Sequence, residues 1–561
     1  MSDSSPAASQ SVLKSAAAMS VATLLSRMMG LVREQVFAFF FGAGNLTDAY
    51  NVAFRIPNLL RDLFAEGAMS ASLVPVFTQT RVQKGDRRAW RVAGLVFRVL
   101  FGTVCLLTLV GMVFAPELVG LYASAFKQIP GKFELTVRMT RVMFPFFPLV
   151  ALAAAFMGIL NACGVFFLPA FASACFNFAS IVVGVSCAQW IAFGGGRWGF
   201  LPIEGMAIGV LAGGLVQAFC QLPSLYRVGY RWEKKGLLYP AWHRDPRLRK
   251  MLWMMIPGTI GLAATQVNLL VNTVLATSQG PGAVSWLNYA FRLMQFPIGI
   301  FGVSLAAATL PKISYQWAQR DIQAVSETLS RSLRSVFAIN LPASAGLAFL
   351  GIPIIELIFQ YGRFFPEDTR STAFALAMYS IGLTAYSAVK VLVPVCYALG
   401  NTRLPVVSSV LSVAITIILN LIMIGPCGYW GLALGTSIAA IFNALFLAYV
   451  VRRMIHEQSG AFSLKSLGRA FFVYLVLALT MGGLCYITDK FLNNLIDYDG
   501  VLLHLGRVGL LLARLGKMMV LLAEGLGFVM MTARLFHLEE VTEVMHLFMG
   551  KFRNKLRRKP T

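Results

Sequence analysis

The chain has 561 residues, of which 57% are apolar and only 13% are charged, whereas an ordinary soluble domain has about 25% charged residues. This composition excludes a water-soluble globule, and the long uninterrupted apolar segments exclude a transmembrane β-barrel, whose strands alternate in short stretches. Lys and Arg outnumber Asp and Glu by 48 to 24, a formal net charge of +24, so the positions of the charges must distinguish nucleic-acid binding from membrane topology.

Apolar segments long enough to cross a bilayer recur along the whole chain, since a spanning helix needs about 20 mostly apolar residues. They predict an all-α, polytopic membrane protein with about fourteen transmembrane helices. The predicted spans are 12–41, 45–80, 92–115, 139–160, 166–193, 204–226, 251–278, 283–311, 332–352, 371–399, 404–424, 430–451, 468–488 and 515–535. Residues 501–514 carry Arg507 and Arg514 among leucines, which predicts an interfacial segment leading into the last span.

The connections between the predicted spans differ sharply in charge. One alternate set carries 29 Lys and Arg residues, and the opposite set carries 7. Because basic connections stay in the cytoplasm, both termini are expected to be cytoplasmic. Most of the net charge is then explained by topology, and no nucleic-acid partner is expected.

The sequence contains few signals of metal or nucleotide chemistry. Its eight cysteines form no CxxC pair and its five histidines form no HExxH motif, so neither a metal site nor another cofactor is expected. The chain also has no Walker A motif, so ATP is not expected to be its energy source.

The chain contains an internal repeat. The segment NVAFR at 51–55 recurs as NYAFR at 288–292, an offset of 237, and three prolines recur at the same offset or one residue less. These prolines are Pro75, Pro116 and Pro169, which match Pro311, Pro353 and Pro405. Two six-helix copies with an even number of spans are parallel repeats, a design in which transporters hold the substrate between two bundles.

The repeat predicts five regions in the chain. They are an N-lobe at 1–230, a basic cytoplasmic linker at 231–250, a C-lobe at 251–455, two extra helices at 456–537 and a basic cytoplasmic tail at 538–561.

Several charged residues fall inside the predicted spans, where each costs at least about 2.5–3.5 kcal/mol unless a cavity or a partner solvates it. The arginines open both repeats and exceed the nearby carboxylates, which predicts an anionic, phosphate-bearing substrate held by guanidinium groups. Snorkelling at a helix end is the alternative for Arg55 and Arg61, and Pro57 predicts a helix break between them. The candidate binding residues are Arg27, Arg33, Glu34, Asp48, Arg61, Arg292 and Lys390.

Several strings resemble the signature of the bacterial lipid II flippase family, called MurJ or MviN. They are SRMMG at 26–30, FGAG at 41–44, FRIPNLLR at 54–61, FAEGA at 64–68 and FQYG at 359–362. The resemblance implies the fold of the multidrug/oligosaccharidyl-lipid/polysaccharide exporter superfamily. It implies a transporter rather than an enzyme, located in the bacterial cytoplasmic (inner) membrane. Such a transporter moves undecaprenyl-diphosphate-linked disaccharide-pentapeptide to the outer leaflet for peptidoglycan synthesis and cell shape.

The resemblance also implies roles for individual residues. In the family, the arginines that match Arg27, Arg33, Arg61 and Arg292 are required and line a central cavity, which Asp48 and Ser285 also face. The two extra helices form a groove for the lipid tail. Membrane potential or an ion gradient is the expected driving force, and membrane phospholipids and cell-wall synthesis proteins are expected contacts. The chain departs from many relatives at Phe291 and Gln295, where acidic residues are common.

Three alternatives remain open at this stage. One is an exporter of another polyprenyl-linked oligosaccharide or an amphipathic compound in the same superfamily. A membrane-embedded enzyme acting on polyprenyl phosphates is the second, although the cavity residues offer it no acid and histidine set. The third is a cell-wall scaffold without transport, for which the basic loop at 227–250 would be a docking surface.

Overall fold

A computed structural model describes residues 6–63, 68–194, 199–231, 253, 266–457, 462–495, 498–538 and 540–542. All regular elements within these ranges are helical, which confirms the all-α prediction. In this part of the chain, ten helices are long and apolar enough to cross a membrane, or eleven if the bent pair Ile322–Phe349 and Gly351–Ile358 is one span. The multi-pass architecture is therefore confirmed, while the number fourteen stays a prediction.

The chain forms two compact units, Met1–Ser285 and Trp286–Thr561. The helices of the first unit are α1 (Pro6–Phe41), α2 (Asn45–Arg61), α3 (Ala68–Lys84), α4 (Asp86–Val113), α5 (Ala115–Tyr122), α6 (Lys132–Met143), α7 (Phe146–Ala162), α8 (Phe167–Phe193), α9 (Pro202–Phe219), α10 (Leu222–Arg227) and α11 (266–277). A short 3-10 helix, Ser124–Gln128, precedes α6.

The next helix, α12 (Ala283–Pro297), begins at the end of the first unit and continues into the second. A π-helical turn at Ile298–Gly302 follows it. The remaining helices are α13 (Val303–Ala318), α14 (Ile322–Phe349), α15 (Gly351–Ile358), α16 (Pro366–Ala398), α17 (Arg403–Cys427), α18 (Tyr429–His456), α19 (Leu464–Leu495) and α20 (Tyr498–Leu535).

The sequence repeat is visible in the order and length of the helices. The 28 residues of α4 correspond to the 28 of α14, and the eight of α5 correspond to the eight of α15. Pro169 is the third residue of α8, and Pro405 is the third residue of α17. Residues 62–63 and Ile298–Gly302 are both π-helical, so even this local irregularity recurs at the repeat spacing.

Close backbone contact holds the helices of the first unit together. A stripe of small residues on α9, formed by Gly205, Gly209 and Gly213, faces α8. A Cβ atom at Gly209 would lie 2.5 Å from the carbonyl oxygen of Ser180. Inside a membrane the hydrophobic effect does not drive helices together. Small residues instead stabilise a helix pair because they let the two backbones approach closely.

The helix break expected at Pro57 lies elsewhere. Pro57 is inside α2, which continues to Arg61 before the π-helical residues 62–63. A proline only removes one helical hydrogen bond, and neighbouring helices in a membrane bundle compensate for that loss. The motif that follows, FAEGA at 64–68, lies largely outside the described residues.

The interfacial location expected for residues 501–514 stays a prediction, but Arg514 has protein contacts that the sequence did not indicate. The helix α20 bends at Gly506, whose φ is 64°, and an apolar span already begins there. Arg514 is 8% exposed, and its Nη1 donates to the carbonyl oxygens of Glu356 at 2.8 Å and Gln360 at 3.0 Å. A cation is favoured at this place because the last carbonyls of α15 lack helical partners.

The boundary of the first unit falls after Ser285, beyond the end of the N-lobe expected at residue 230. The segment 266–285 belongs to this unit because it hydrogen-bonds to α2 at several points, including Arg55 Nε to Thr273 Oγ1 at 3.4 Å. Apart from Arg231, the linker expected at 231–250 lies outside the described residues, as does most of the tail beyond residue 542.

Candidate substrate-binding site

Arg33 lies on α1 with its guanidinium group between two aromatic rings. Its carbon Cζ is 5.7 Å from the ring centroid of Phe54 on α2 and 5.7 Å from that of Phe176 on α8. Its Nη2 donates to Glu34 Oε1 at 3.0 Å, and both side chains are about one-tenth exposed. The two cation–π contacts and the ion pair together stabilise this cation among apolar groups.

Arg61 is the last residue of α2, two helical turns beyond Phe54 and on the same face. Its Nε and Nη2 donate to Asp62 Oδ1 at 3.1 and 2.8 Å. Asp62 Oδ2 also accepts from Gln266 Nε2 at 3.2 Å. The sequence analysis did not identify Asp62 as a site residue. A carboxylate next to an arginine in an apolar segment could have indicated it.

Asp48 is completely buried near the start of α2 and accepts four hydrogen bonds. The backbone N–H of Gly282 donates at 2.7 Å, and Ser285 donates through its N–H at 3.1 Å and its hydroxyl at 2.7 Å. The fourth donor is Lys132 Nζ at 3.4 Å. Asp48 and Ser285, which the family resemblance singled out separately, are therefore direct partners in the first unit.

Lys132 is the second site residue that the sequence analysis missed. It begins α6, is 4% exposed and also donates to Asn45 Oδ1 at 2.9 Å. Its Nζ lies 3.9 Å from the ring centroid of Phe126. The sequence placed Lys132 in a predicted connection, where a lysine is expected to be solvated, and no local pattern marked it as buried.

Within the part of the chain that the structure describes, the arginines on α1 and α2 exceed the carboxylates near them. Asp48 is neutralised by Lys132, so Glu34 and Asp62 face four arginines on these two helices. The four are Arg27, Arg33, Arg55 and Arg61. Arg27 is exposed on α1, next to Ser26, whose carbonyl accepts from Asn177 at 3.4 Å. This excess of positive charge suits a dianionic group such as a diphosphate.

Two candidates lie in the second unit. Arg292 is half-buried on α12, and Lys390 is exposed on α16. The chain departs from many relatives at two residues near Arg292. Phe291 packs edge-on against Tyr379 at 5.4 Å, and Gln295 is exposed. No carboxylate replaces the acidic residues that many relatives carry at these two positions.

The ammonium, hydroxyl and backbone N–H donors of Lys132, Ser285 and Gly282 are directed at Asp48. The guanidinium groups on α1 and α2 are the donors that suit an anionic ligand. Among the residues that the structure describes, no group of three or more His, Cys, Asp or Glu side chains is placed to hold a metal.

Comparisons with known proteins agree with this chemistry. The family model described as Lipid II flippase MurJ matches residues 37–503. The chain is 35% identical over 466 residues to Lipid II flippase MurJ of Burkholderia cenocepacia, covering 83% of this chain and 87% of that protein. It is 36% identical over 458 residues to the probable lipid II flippase MurJ of Bdellovibrio bacteriovorus, covering 79% and 82%.

Solved structures support the same assignment. A Lipid II flippase MurJ in an inward closed conformation aligns with a TM-score of 0.73 at 25% identity, covering 92% of this chain and 98% of that one. An inward-facing MATE multidrug transporter aligns with a TM-score of 0.61 at 15% identity, covering 77% and 95%, which shows a shared fold. The family match, the full-length relatives and the shared fold together establish that this chain belongs to the MurJ lipid II flippase family.

Proposed function

We propose that this protein translocates lipid II across the cytoplasmic membrane of a bacterium. The observation that carries the proposal is the set of arginines on α1 and α2, which outnumber their carboxylate neighbours among the described residues. Arg55 and Arg61 of this set lie within residues 37–503, which the family model matches. A diphosphate-linked lipid supplies the negative charge that this region lacks. The protein is a transporter and makes or breaks no covalent bond in its substrate.

Arg33 is the residue best placed to bind the diphosphate, because its guanidinium is held between Phe54 and Phe176 before any ligand arrives. Preorganisation of this kind lowers the entropy cost of binding. Arg27, Arg61 and Arg292 complete the proposed set, with Lys390 as a further cation. Glu34 orients Arg33, whereas Asp48 and Ser285 act by holding α2 against residues 282–285.

Alternating access is the proposed mechanism. The lobes admit the headgroup from the cytoplasm and then rock to expose it to the periplasm, while the tail lies along α19 and α20. Membrane potential or an ion gradient drives the cycle, since moving one charge through 100 mV is worth about 2.3 kcal/mol. Both termini are placed in the cytoplasm by the distribution of basic connections. Phospholipids and cell-wall synthesis proteins are the proposed neighbours.

Another lipid-linked oligosaccharide is a weaker candidate for the substrate. The relatives that align over most of their length carry the lipid II flippase name, and a cationic drug would be repelled by the arginines.

A reconstituted system tests the proposal. Vesicles containing the purified protein and headgroup-labelled lipid II should expose the label to an external reagent faster than vesicles without protein. Arg33→Gln should abolish the gain, while Arg453→Gln, which alters an exposed arginine of α18, should retain it. Equal exposure with and without protein would refute the proposal.

A further inference from the structure

The second unit contains a polar cavity between α13, the first third of α14, the start of α19 and the residues after α20. It has two adjoining chambers of about 660 and 560 Å³. Both chambers are lined by Arg334, Ser463, Ser466 and Glu540, so Arg334 stands at the centre of the cavity. None of these residues belongs to the proposed lipid II site.

The cavity lining is strongly basic. It includes two carboxylates, Glu327 and Glu540, against five cations. The cations are Lys312, Arg331, Arg334, Lys465 and Arg469. Such an excess in a partly desolvated cleft draws an anion into the cavity.

Arg334 retains hydrogen-bonding capacity inside this cavity. Its Nη2 donates to Ser466 Oγ at 2.6 Å, and its Nη1 lies 3.7 Å from Glu540 Oε1. Its Nε is buried and has no hydrogen-bond partner among the described residues. A buried donor without a partner is unfavourable, so the described residues do not saturate this guanidinium.

The wall between the charged groups is rich in hydroxyls, which donate to phosphate oxygens as readily as to water. Ser326, Ser330, Ser463 and Ser466 all line the cavity. Guanidinium and hydroxyl donors at one place form the chemistry that recognises phosphate oxygens.

The second chamber borders an apolar surface. Ala470 and Val473 of α19 line it, and Val473 is 40% exposed. The adjacent Phe472 is 65% exposed. A soluble anion would gain nothing from this surface, whereas the acyl chains of a lipid would cover it. The cavity also joins three connections with a basic excess, at 312–334, 452–469 and 533–561, which the positive-inside rule places in the cytoplasm.

We propose that this cavity binds the phosphodiester headgroup of an anionic glycerophospholipid from the cytoplasmic leaflet. Arg334 and Arg469 hold the phosphate, and the acyl chains lie along Phe472 and Val473. Basic clefts between membrane helices on the cytoplasmic side are typical headgroup sites. Glu540, which accepts from Tyr474 Oη at 2.6 Å, competes with the phosphate for Arg334.

Lipid binding to the purified full chain tests this assignment. In micelles titrated with phosphatidylglycerol, the double variant Arg334→Gln and Arg469→Gln should bind at least about tenfold more weakly than the unaltered protein, since charged hydrogen bonds to the phosphate are lost. Arg453→Gln, which changes an exposed arginine outside the cavity, should bind unchanged. Equal affinity of the double variant and the unaltered protein would overturn the proposal.

Competition identifies the ligand class. Phosphatidylcholine and inorganic phosphate should fail to displace phosphatidylglycerol. Displacement by inorganic phosphate would assign the cavity to a soluble anion, and tighter binding of undecaprenyl phosphate would assign it to the substrate, so either result overturns the proposal. A second variant, Glu540→Gln, keeps all the cations and removes the competing carboxylate. It should bind phosphatidylglycerol more tightly, and unchanged or weaker binding would also overturn the assignment.

Discussion

Asp48 and Lys132 form an ion pair that is buried on both sides. Their side chains are 0% and 3% exposed, and three further donors from Gly282 and Ser285 complete the shell of the carboxylate. A buried pair of this kind contributes little net stability, but it leaves a costly charge behind when one member is removed. Its principal effect is to fix the start of α2 against α6 and residues 282–285.

Replacing Lys132 by Met should therefore destabilise the protein by about 3 kcal/mol or more, because Asp48 keeps its burial and loses its counter-charge. The free energy of unfolding can be compared from denaturation curves in micelles. Combining Lys132→Met with Asp48→Asn should restore part of the loss. A double variant less stable than Lys132→Met alone would contradict this account of the pair.

The position of Arg33 near Phe54 and Phe176 makes the identity of the side chain important beyond its charge. A lysine keeps the charge but cannot form the planar, two-pronged contact with phosphate oxygens or stack in the same way. Arg33→Lys should lower the rate of lipid II transport about tenfold, equivalent to about 1.4 kcal/mol, in the vesicle assay. Arg453→Lys serves as the matched control, and equal rates for Arg33→Lys and the unaltered protein would remove Arg33 from the site.

At the residue scale, the sequence patterns identified polar residues of the site but did not identify the residues that contact them. Arg33, Asp48 and Ser285 were recognisable because they are polar residues in apolar segments that match family motifs. Lys132 contacts Asp48 across 84 residues, and the folded chain alone brings them together. The acceptors of Arg514 were not predictable for the same reason, since they are backbone carbonyls more than 150 residues away in sequence.

At the scale of elements, the α8–α9 pair depends on backbone proximity. A methyl group at Gly209 would lie 2.5 Å from Ser180 O and 2.7 Å from Gly184 Cα, and neither backbone atom can move cheaply. Gly209→Ala should therefore lower the stability by about 1–3 kcal/mol, as expected for overpacking.

Gly483 on α19 provides the matched control for Gly209. A Cβ atom there would meet no atom within 4 Å, so Gly483→Ala should be neutral or stabilising by about 0.4–1 kcal/mol. Thermal unfolding of both variants in the same detergent checks the pair. Equal destabilisation by the two substitutions would contradict this account, because helix propensity favours alanine over glycine at both sites and close packing opposes it only at Gly209.

The helices themselves were largely predictable, and their interruptions were not. Apolar length fixes where a helix can cross the bilayer, which is why α4, α8 and α17 fall close to the predicted spans. Neighbouring helices can compensate for the hydrogen bond that a proline removes from a membrane helix. Pro57 therefore lies inside α2, and its position in the sequence did not predict that α2 ends at Arg61.

At the scale of the whole molecule, the repeat was the most informative sequence feature. Helix lengths, proline positions and a π-helical turn all recur at nearly one spacing. The division of the chain after Ser285 was not predictable, because it follows from hydrogen bonds between α2 and the segment 266–285. Duplication predicts equivalent elements, whereas tertiary contacts decide which of them pack together.

Orientation in the membrane is a property of the whole chain, and cysteine labelling tests it. In a background without the eight natural cysteines, Lys84→Cys in a basic connection should react with a membrane-impermeant maleimide only after permeabilisation. Glu367→Cys, in a connection of the opposite set, should react in intact spheroplasts. Both residues are exposed, so burial does not confound the comparison, and the reverse labelling pattern would contradict the positive-inside orientation.

The central claim is that the arginines of α1 and α2 carry the diphosphate of lipid II across the membrane. The most direct measurement is the accessibility of lipid II to a periplasmic probe in cells depleted of this protein. The account predicts that accessibility falls on depletion, returns with the unaltered gene and does not return with an equally expressed Arg33→Gln variant. Unchanged accessibility after depletion, or full rescue by Arg33→Gln, would contradict it.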